Sequence, residues 1–128
     1  PSASTVEVDV SALDRTAWTT RVGFDGKPEL MNPTGYVQGG FLSAMLDDTI
    51  GVLAGMKVAT RALPGTVVLH THFLRPVREG WIEVVARLRN FGRNIIFAEA
   101  ELFDTRGKEA ARSTASLTIN PVQSKQPT

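Results

Sequence analysis

Between residues 41 and 57 the apolar side chains recur at helical spacing. Leu42, Met45, Leu46, Thr49, Ile50, Leu53 and Met56 fall along one stripe at about 100° per residue, which predicts a helix over residues 41–57. Ala44, Gly51 and Gly55 make the opposite side small rather than polar, and only Ser43, Asp47, Asp48 and Thr49 are polar in the middle. A helix that is apolar or small nearly all round is expected to be buried nearly all round. A strongly twisted sheet wrapped around it would bury it, with the small face left for the close approach of a second surface.

After the helix the period changes. Residues 66–74, 81–90, 94–104 and 108–119 are rich in β-branched and aromatic residues and read as four strands. The links between them, 76–80, Gly92-Arg93 and 105–107, are short, which favours antiparallel neighbours. Before the helix, strand-like pieces at 5–10 and 17–24 end at the turn signal Asp25-Gly26-Lys27-Pro28. Asn32-Pro33-Thr34-Gly35 and then Gly39-Gly40 lead into the helix. The first four residues and the last eight (121–128) are polar, Pro-containing and unpatterned, and read as loose termini. The pattern predicts an α+β protein: one domain over 1–128, an antiparallel sheet with one long helix.

Composition adds mainly exclusions. The chain has 128 residues, 42% hydrophobic and 21% charged, which suits one globular core. Fourteen Lys+Arg against thirteen Asp+Glu leave a formal charge of +1, so no basic field points to nucleic acid. Zero cysteines exclude disulfides, a thiolate metal site and a cysteine nucleophile. No apolar run approaches the length of a bilayer span, and the alternation of Val6, Val8 and Val10 with Glu7 and Asp9 is no signal-peptide core. The expectation is a cytoplasmic protein that binds neither membrane nor nucleic acid.

Asp47 and Asp48 stand on a helix with almost no other charge, and are expected on the two flanks of its apolar stripe. An Asp pair commonly just reaches solvent or meets an arginine. Desolvating an unpartnered carboxylate costs several kcal/mol, however, so on a buried helix the pair suggests chemistry. Gly39-Gly40 at the helix start either makes a tight turn or exposes backbone N–H groups to a developing oxyanion. His70 and His72 alternate on one strand and so share a face, and with no third histidine or cysteine no metal site is expected. Arg75, Arg89 and Arg93 are cations available to phosphates, or are ordinary solvated side chains.

The string from Asn32 through Gln38-Gly39-Gly40 to Asp47 and Gly51 resembles the signature of hotdog-fold acyl-CoA thioesterases of the phenylacetate-degradation (PaaI-like) type. The stretch from Thr66 to Arg75-Pro76 resembles the strand that follows in that family, and the likeness covers about residues 17–119. It implies a hotdog fold, an antiparallel sheet wrapped around a central helix, assembled as a homodimer and further as a homotetramer. It implies hydrolysis of an acyl-CoA thioester to a carboxylic acid and free coenzyme A, with no metal and no cofactor beyond the CoA of the substrate.

Carried over by position, Asp47 is the carboxylate that attacks the thioester or activates water, and Gly39 supplies the N–H that polarises the carbonyl. Asn32 orients the water or substrate, and Thr66 falls where some members carry a hydroxyl near the same water; beside these, Gln38, Gly40, Thr66 and Arg93 are expected to contact substrate. Gln38 stands where the family usually has histidine; its amide can hydrogen-bond but cannot titrate. Two other readings share the scaffold: a non-catalytic acyl-CoA or small-ligand binding protein, and a hotdog dehydratase or hydratase. The last usually needs a histidine beside its carboxylate, which position 38 lacks.

Overall fold

In the computed structural model, which describes residues 8–58 and 62–121, the β-branched segments pair into one six-stranded antiparallel sheet. The strands are β1 (Val8–Asp14), β2 (Thr19–Gly26), β3 (Ala62–Phe73), β4 (Gly80–Phe91), β5 (Ile95–Phe103) and β6 (Glu109–Pro121). The helix α1 (Gly39–Val58) lies between β2 and β3 in sequence. The spatial order is β1-β2-β4-β5-β6-β3, so β1 and β3 are the edges. This is the hotdog arrangement that the pattern and the resemblance led us to expect.

Period-two alternation decides which face meets the helix. Val22 and Phe24 of β2, Ile82, Val84 and Ala86 of β4, Ala98 and Ala100 of β5, and Ala115 and Leu117 of β6 are all buried against Leu46, Ile50 and Leu53 of α1. The alanines let the helix approach the concave face closely, while the leucines and isoleucine of the helix fill the space. On the other face charges alternate: Arg87 bridges Glu99 and Glu101, with Nη2 2.6 Å from Glu101 Oε1, and Arg21 meets Glu83 at 2.6 Å. Trp81 lies flat on Gly23 across the β2–β4 pair. A Cβ there would sit 2.0 Å from the indole, so the ring needs a glycine beneath it.

Several boundaries differ from the expected ones. The helix starts at Gly39 rather than residue 41, because the Gln38 carbonyl accepts from the N–H groups of Phe41 (3.0 Å) and Leu42 (3.2 Å) and caps it. Nor is the helix buried all round: Gly40, Ala44 and Asp48 are exposed and Val52 is 44% exposed, because the sheet wraps only one side. β2 begins at Thr19, since Asp14 Oδ1 accepts from the N–H groups of Thr16 and Ala17 and turns the chain first. It continues through Asp25 and Gly26, which pair with Trp81 and Gly80, and the turn falls at Pro28–Leu30. β3 begins four residues early and includes Pro64, which an edge strand tolerates because one side of its ladder is unpaired. Pro121 is not loose but ends β6 opposite Ala62. The other residues read as loose termini lie outside the described residues, as does the start of the piece expected at 5–10.

Candidate active site

Asp47 sits midway along α1, half-buried, and its Oδ1 accepts a hydrogen bond of 2.8 Å from Thr66 Oγ1. Thr66 is brought there by β3, immediately before a β-bulge at Val67: Thr66 pairs with Leu117 and Val68 with Ser116. Such a bulge re-aims the flanking side chains. The pair opens on a cavity of about 470 Å³ walled by Val22, Phe24, Val52 and Leu117. Asp48 lines the same cavity, so both aspartates, one on each flank of the apolar stripe, border one space. Burial, and then the charge of Asp47, raise the Asp48 carboxyl above its ordinary value.

The start of the helix faces a second cavity, of about 420 Å³, lined by Asn32, Tyr36, Gly39, Leu42, Phe73 and Arg75 among others. Among the described residues no acceptor reaches the N–H of Gly39 or Gly40, the orphan donors of a helix N-terminus. A Cβ at Gly39 would lie 3.4 Å from the Phe73 ring, and at Gly40 it would meet open space. These groups can hold an anion or a developing oxyanion.

Asn32 is fully occupied on its oxygen side. Its Oδ1 accepts from the Thr34 N–H (3.0 Å), the Thr34 hydroxyl (2.6 Å) and the Tyr36 N–H (3.1 Å), so it builds the loop that presents the helix start. Only its Nδ2 is left to meet a ligand. The Gln38 side chain is exposed beside this cavity. Arg93 is exposed in the β4–β5 turn and lines neither cavity, whereas Arg75 lines the second and donates through Nε to the Glu109 carbonyl at 2.9 Å. Arg89 lies 3.5 Å from Glu99 on the outer face, where His70 and His72 are also exposed. Sequence reasoning overlooked Tyr36 and Arg78: the Arg78 guanidinium lies 5.3 Å from the Tyr36 ring centre, across an isolated β-bridge that no local pattern announces.

The structure therefore joins Asp47 to Thr66, and Gly39 to Asn32, but leaves the two pairs in separate cavities with no lining residue in common. Gly39 and Asp47 are eight residues apart on one helix, about 12 Å of rise.

Residues 34–111 match the model of the thioesterase superfamily. The crystal structure of a protein from Ralstonia eutropha JMP134, described as a thioesterase related to phenylacetic acid degradation, superposes with a TM-score of 0.87 at 34% identity, over 92% of this chain and 89% of that one. A Thermoplasma volcanium protein named as an esterase is 26% identical over 80 residues, and the match spans 62% of this chain and 60% of that protein. A Bacillus halodurans protein crystallised with CoA has the same fold, with a TM-score of 0.74 at 23% identity over 77% of this chain and 66% of that one.

The chain belongs to the thioesterase superfamily.

Proposed function

We propose that the protein is an acyl-CoA thioesterase whose sites are each shared between two copies of the chain. The observation that carries this reading is the Thr66–Asp47 hydrogen bond at the mouth of an apolar cavity, on a helix whose first N–H groups are unpaired. Thr66 holds one carboxylate oxygen of Asp47 and leaves the other for chemistry. Asp47 either takes a proton from the water that adds to the thioester carbonyl or adds to it directly, forming an anhydride that water then opens. In both routes the oxyanion accepts a hydrogen bond from the Gly39 N–H, the C–S bond breaks, and CoA leaves as thiolate. The CoA-bound relative from Bacillus halodurans supports CoA as the carrier.

Neither cavity alone holds both the carboxylate and the N–H donor, which supports a dimer. β3 is an edge strand, and Val67, Val68 and Phe73 along it, with Leu74 just after it, are 41–62% exposed. Antiparallel pairing of β3 with a second β3 about a two-fold axis sets the Thr66 end of each beside the Phe73 end of the other. Phe73 is the side chain nearest a Cβ built on Gly39 and lines the same cavity, so Asp47 of one protomer would face the partner's Gly39 N–H. On the outer face Phe97, 48% exposed, offers such dimers an apolar contact for a homotetramer.

No described helix is long and apolar enough to cross a membrane, and we assign the reaction to the cytoplasm, where acyl-CoA pools reside. The reading is tested by thiol release from a panel of aliphatic and aromatic acyl-CoAs. Hydrolysis that is lost on replacing Asp47 supports it, while binding without thiol release points to a ligand-binding protein instead.

A further inference from the structure

We infer that the cavity beside Asp47 seats a neutral, apolar acyl group, and that Gly51 sets how long or bulky that group can be. This rests on the thioesterase reading above.

The two half-cavities differ in charge. The one beside Asp47 has walls from Val22 and Phe24 of β2, Val52 of α1 and Leu117 of β6, and the ionisable residues lining it are Asp47 and Asp48, with no cation. Arg75 lines the other, and Arg78 stacks on Tyr36 at its side. An acyl-CoA has one polyanionic end and one end whose charge depends on the acid. Its phosphates are repelled by the Asp47–Asp48 pair and attracted by the arginines, so the thioester is threaded with CoA toward Arg75 and Arg78 and the acyl group toward Val22 and Phe24. A terminal carboxylate on the acyl group would be a third negative charge among apolar walls, with no partner to offset its desolvation. Acyl groups such as succinyl or glutaryl are therefore disfavoured against uncharged ones of equal length.

The volume of about 470 Å³ lies within the range of small-molecule sites and accommodates an arylacetyl or medium-chain group. Gly51 borders this space one helical turn beyond Asp47, about 6 Å along the axis. A Cβ built there meets nothing within 4 Å, so a side chain at this position would extend into open space without displacing protein atoms. The helix needs no glycine at this point: its backbone is ordinary α-helix, and alanine or leucine forms helix more readily. Open space in front of a residue that helix propensity disfavours is what an acyl-length gauge would look like.

The test compares wild type with Gly51→Ala and Gly51→Leu, using thiol release from butyryl-, octanoyl-, phenylacetyl- and succinyl-CoA. Circular dichroism and sedimentation establish that each variant keeps its fold and assembly. The expected result is that wild type prefers butyryl- to succinyl-CoA, and that Gly51→Leu lowers the octanoyl-to-butyryl ratio of kcat/KM by about tenfold or more, the scale on which one to a few methylene groups are discriminated. Gly51→Ala should move the ratio in the same direction by less, and it carries the test should the leucine variant misfold. An unchanged ratio in a folded variant overturns the gauge, and equal use of succinyl- and butyryl-CoA overturns the neutral seat. Both outcomes leave the thioesterase reading standing. Absence of thiol release from every acyl-CoA in wild type overturns that reading, and this inference with it.

Discussion

Thr66 Oγ1 lies 2.8 Å from Asp47 Oδ1, joining the edge strand to the middle of the helix across 19 positions of sequence. A carboxylate held by one oxygen presents the other in a fixed direction, which is what a general base or nucleophile needs. Removing the charge while keeping the shape, as in Asp47→Asn, should lower kcat by about 10²-fold or more with an unchanged circular dichroism spectrum. Asp48→Asn should cost far less. A folded Asp47→Asn enzyme with near wild-type turnover, or a larger loss from Asp48→Asn, would mean the chemistry lies elsewhere.

Replacing Thr66 by valine keeps the β-branched shape and removes the donor. A hydrogen bond to a charged group contributes about 1.5–3 kcal/mol, so the rate should fall by roughly 10- to 100-fold. Thr66→Ser keeps the hydroxyl and should recover most of that loss. If serine is as slow as valine, packing rather than the hydrogen bond is what matters at this position.

The raised carboxyl of Asp48 carries a sign for stability. Its proton is held more tightly in the folded protein than at the ordinary value of 3.8, because of burial and then the charge of Asp47. The folded state thus binds more protons than the unfolded one between those two values, and Asp48 destabilises the fold as pH rises through that window. Asp48→Asn should therefore gain stability relative to wild type between about pH 3.5 and pH 7, as read by urea denaturation at both ends. The gain will be modest because the side chain is exposed. A relative loss over the same span would reverse the assigned direction.

Gly39→Pro deletes the N–H proposed above as the oxyanion donor. Proline suits the first position of a helix, where it removes only an N–H that has no intrahelical partner. Loss of one such donor should lower kcat by about 10²-fold or more while helix content is unchanged. Refolding this variant together with Asp47→Asn in equal amounts should make about half the dimers mixed. With sites shared between chains, each mixed dimer keeps one intact site, and roughly a quarter of wild-type activity returns. With sites built from single chains, none returns.

The helix and the four later strands were legible because their signals are local. A stripe from Leu42 to Leu53 and the alternation along β4 and β5 need only neighbouring residues to be read. Asp47, Gly39 and Thr66 stood out through spacing and resemblance, and the Asp47–Thr66 contact is present. What the sequence hid was decided over distance. That Asp47 and Asp48 both border one cavity depends on how the sheet closes over the helix, which helical period alone does not fix. Asn32 builds its own loop because three donors in Thr34 and Tyr36 converge on one oxygen. The β2 boundary moved because a single Asp14 carboxylate collects two N–H groups and turns the chain before the strand starts.

The unpaired side of β3 has a consequence for the life of the newly made chain. A 12-residue edge carrying exposed Val67, Val68 and Phe73 is a template on which any extended polypeptide can crystallise, the first step toward amyloid-like deposits. Pro64 and the Val67 bulge interrupt that template but do not remove it. Self-recognition along β3 would then act as a chaperone as well as an assembly device. Newly made chains at low concentration should be the most prone to precipitate with foreign strands, and crowding by their own kind should protect them.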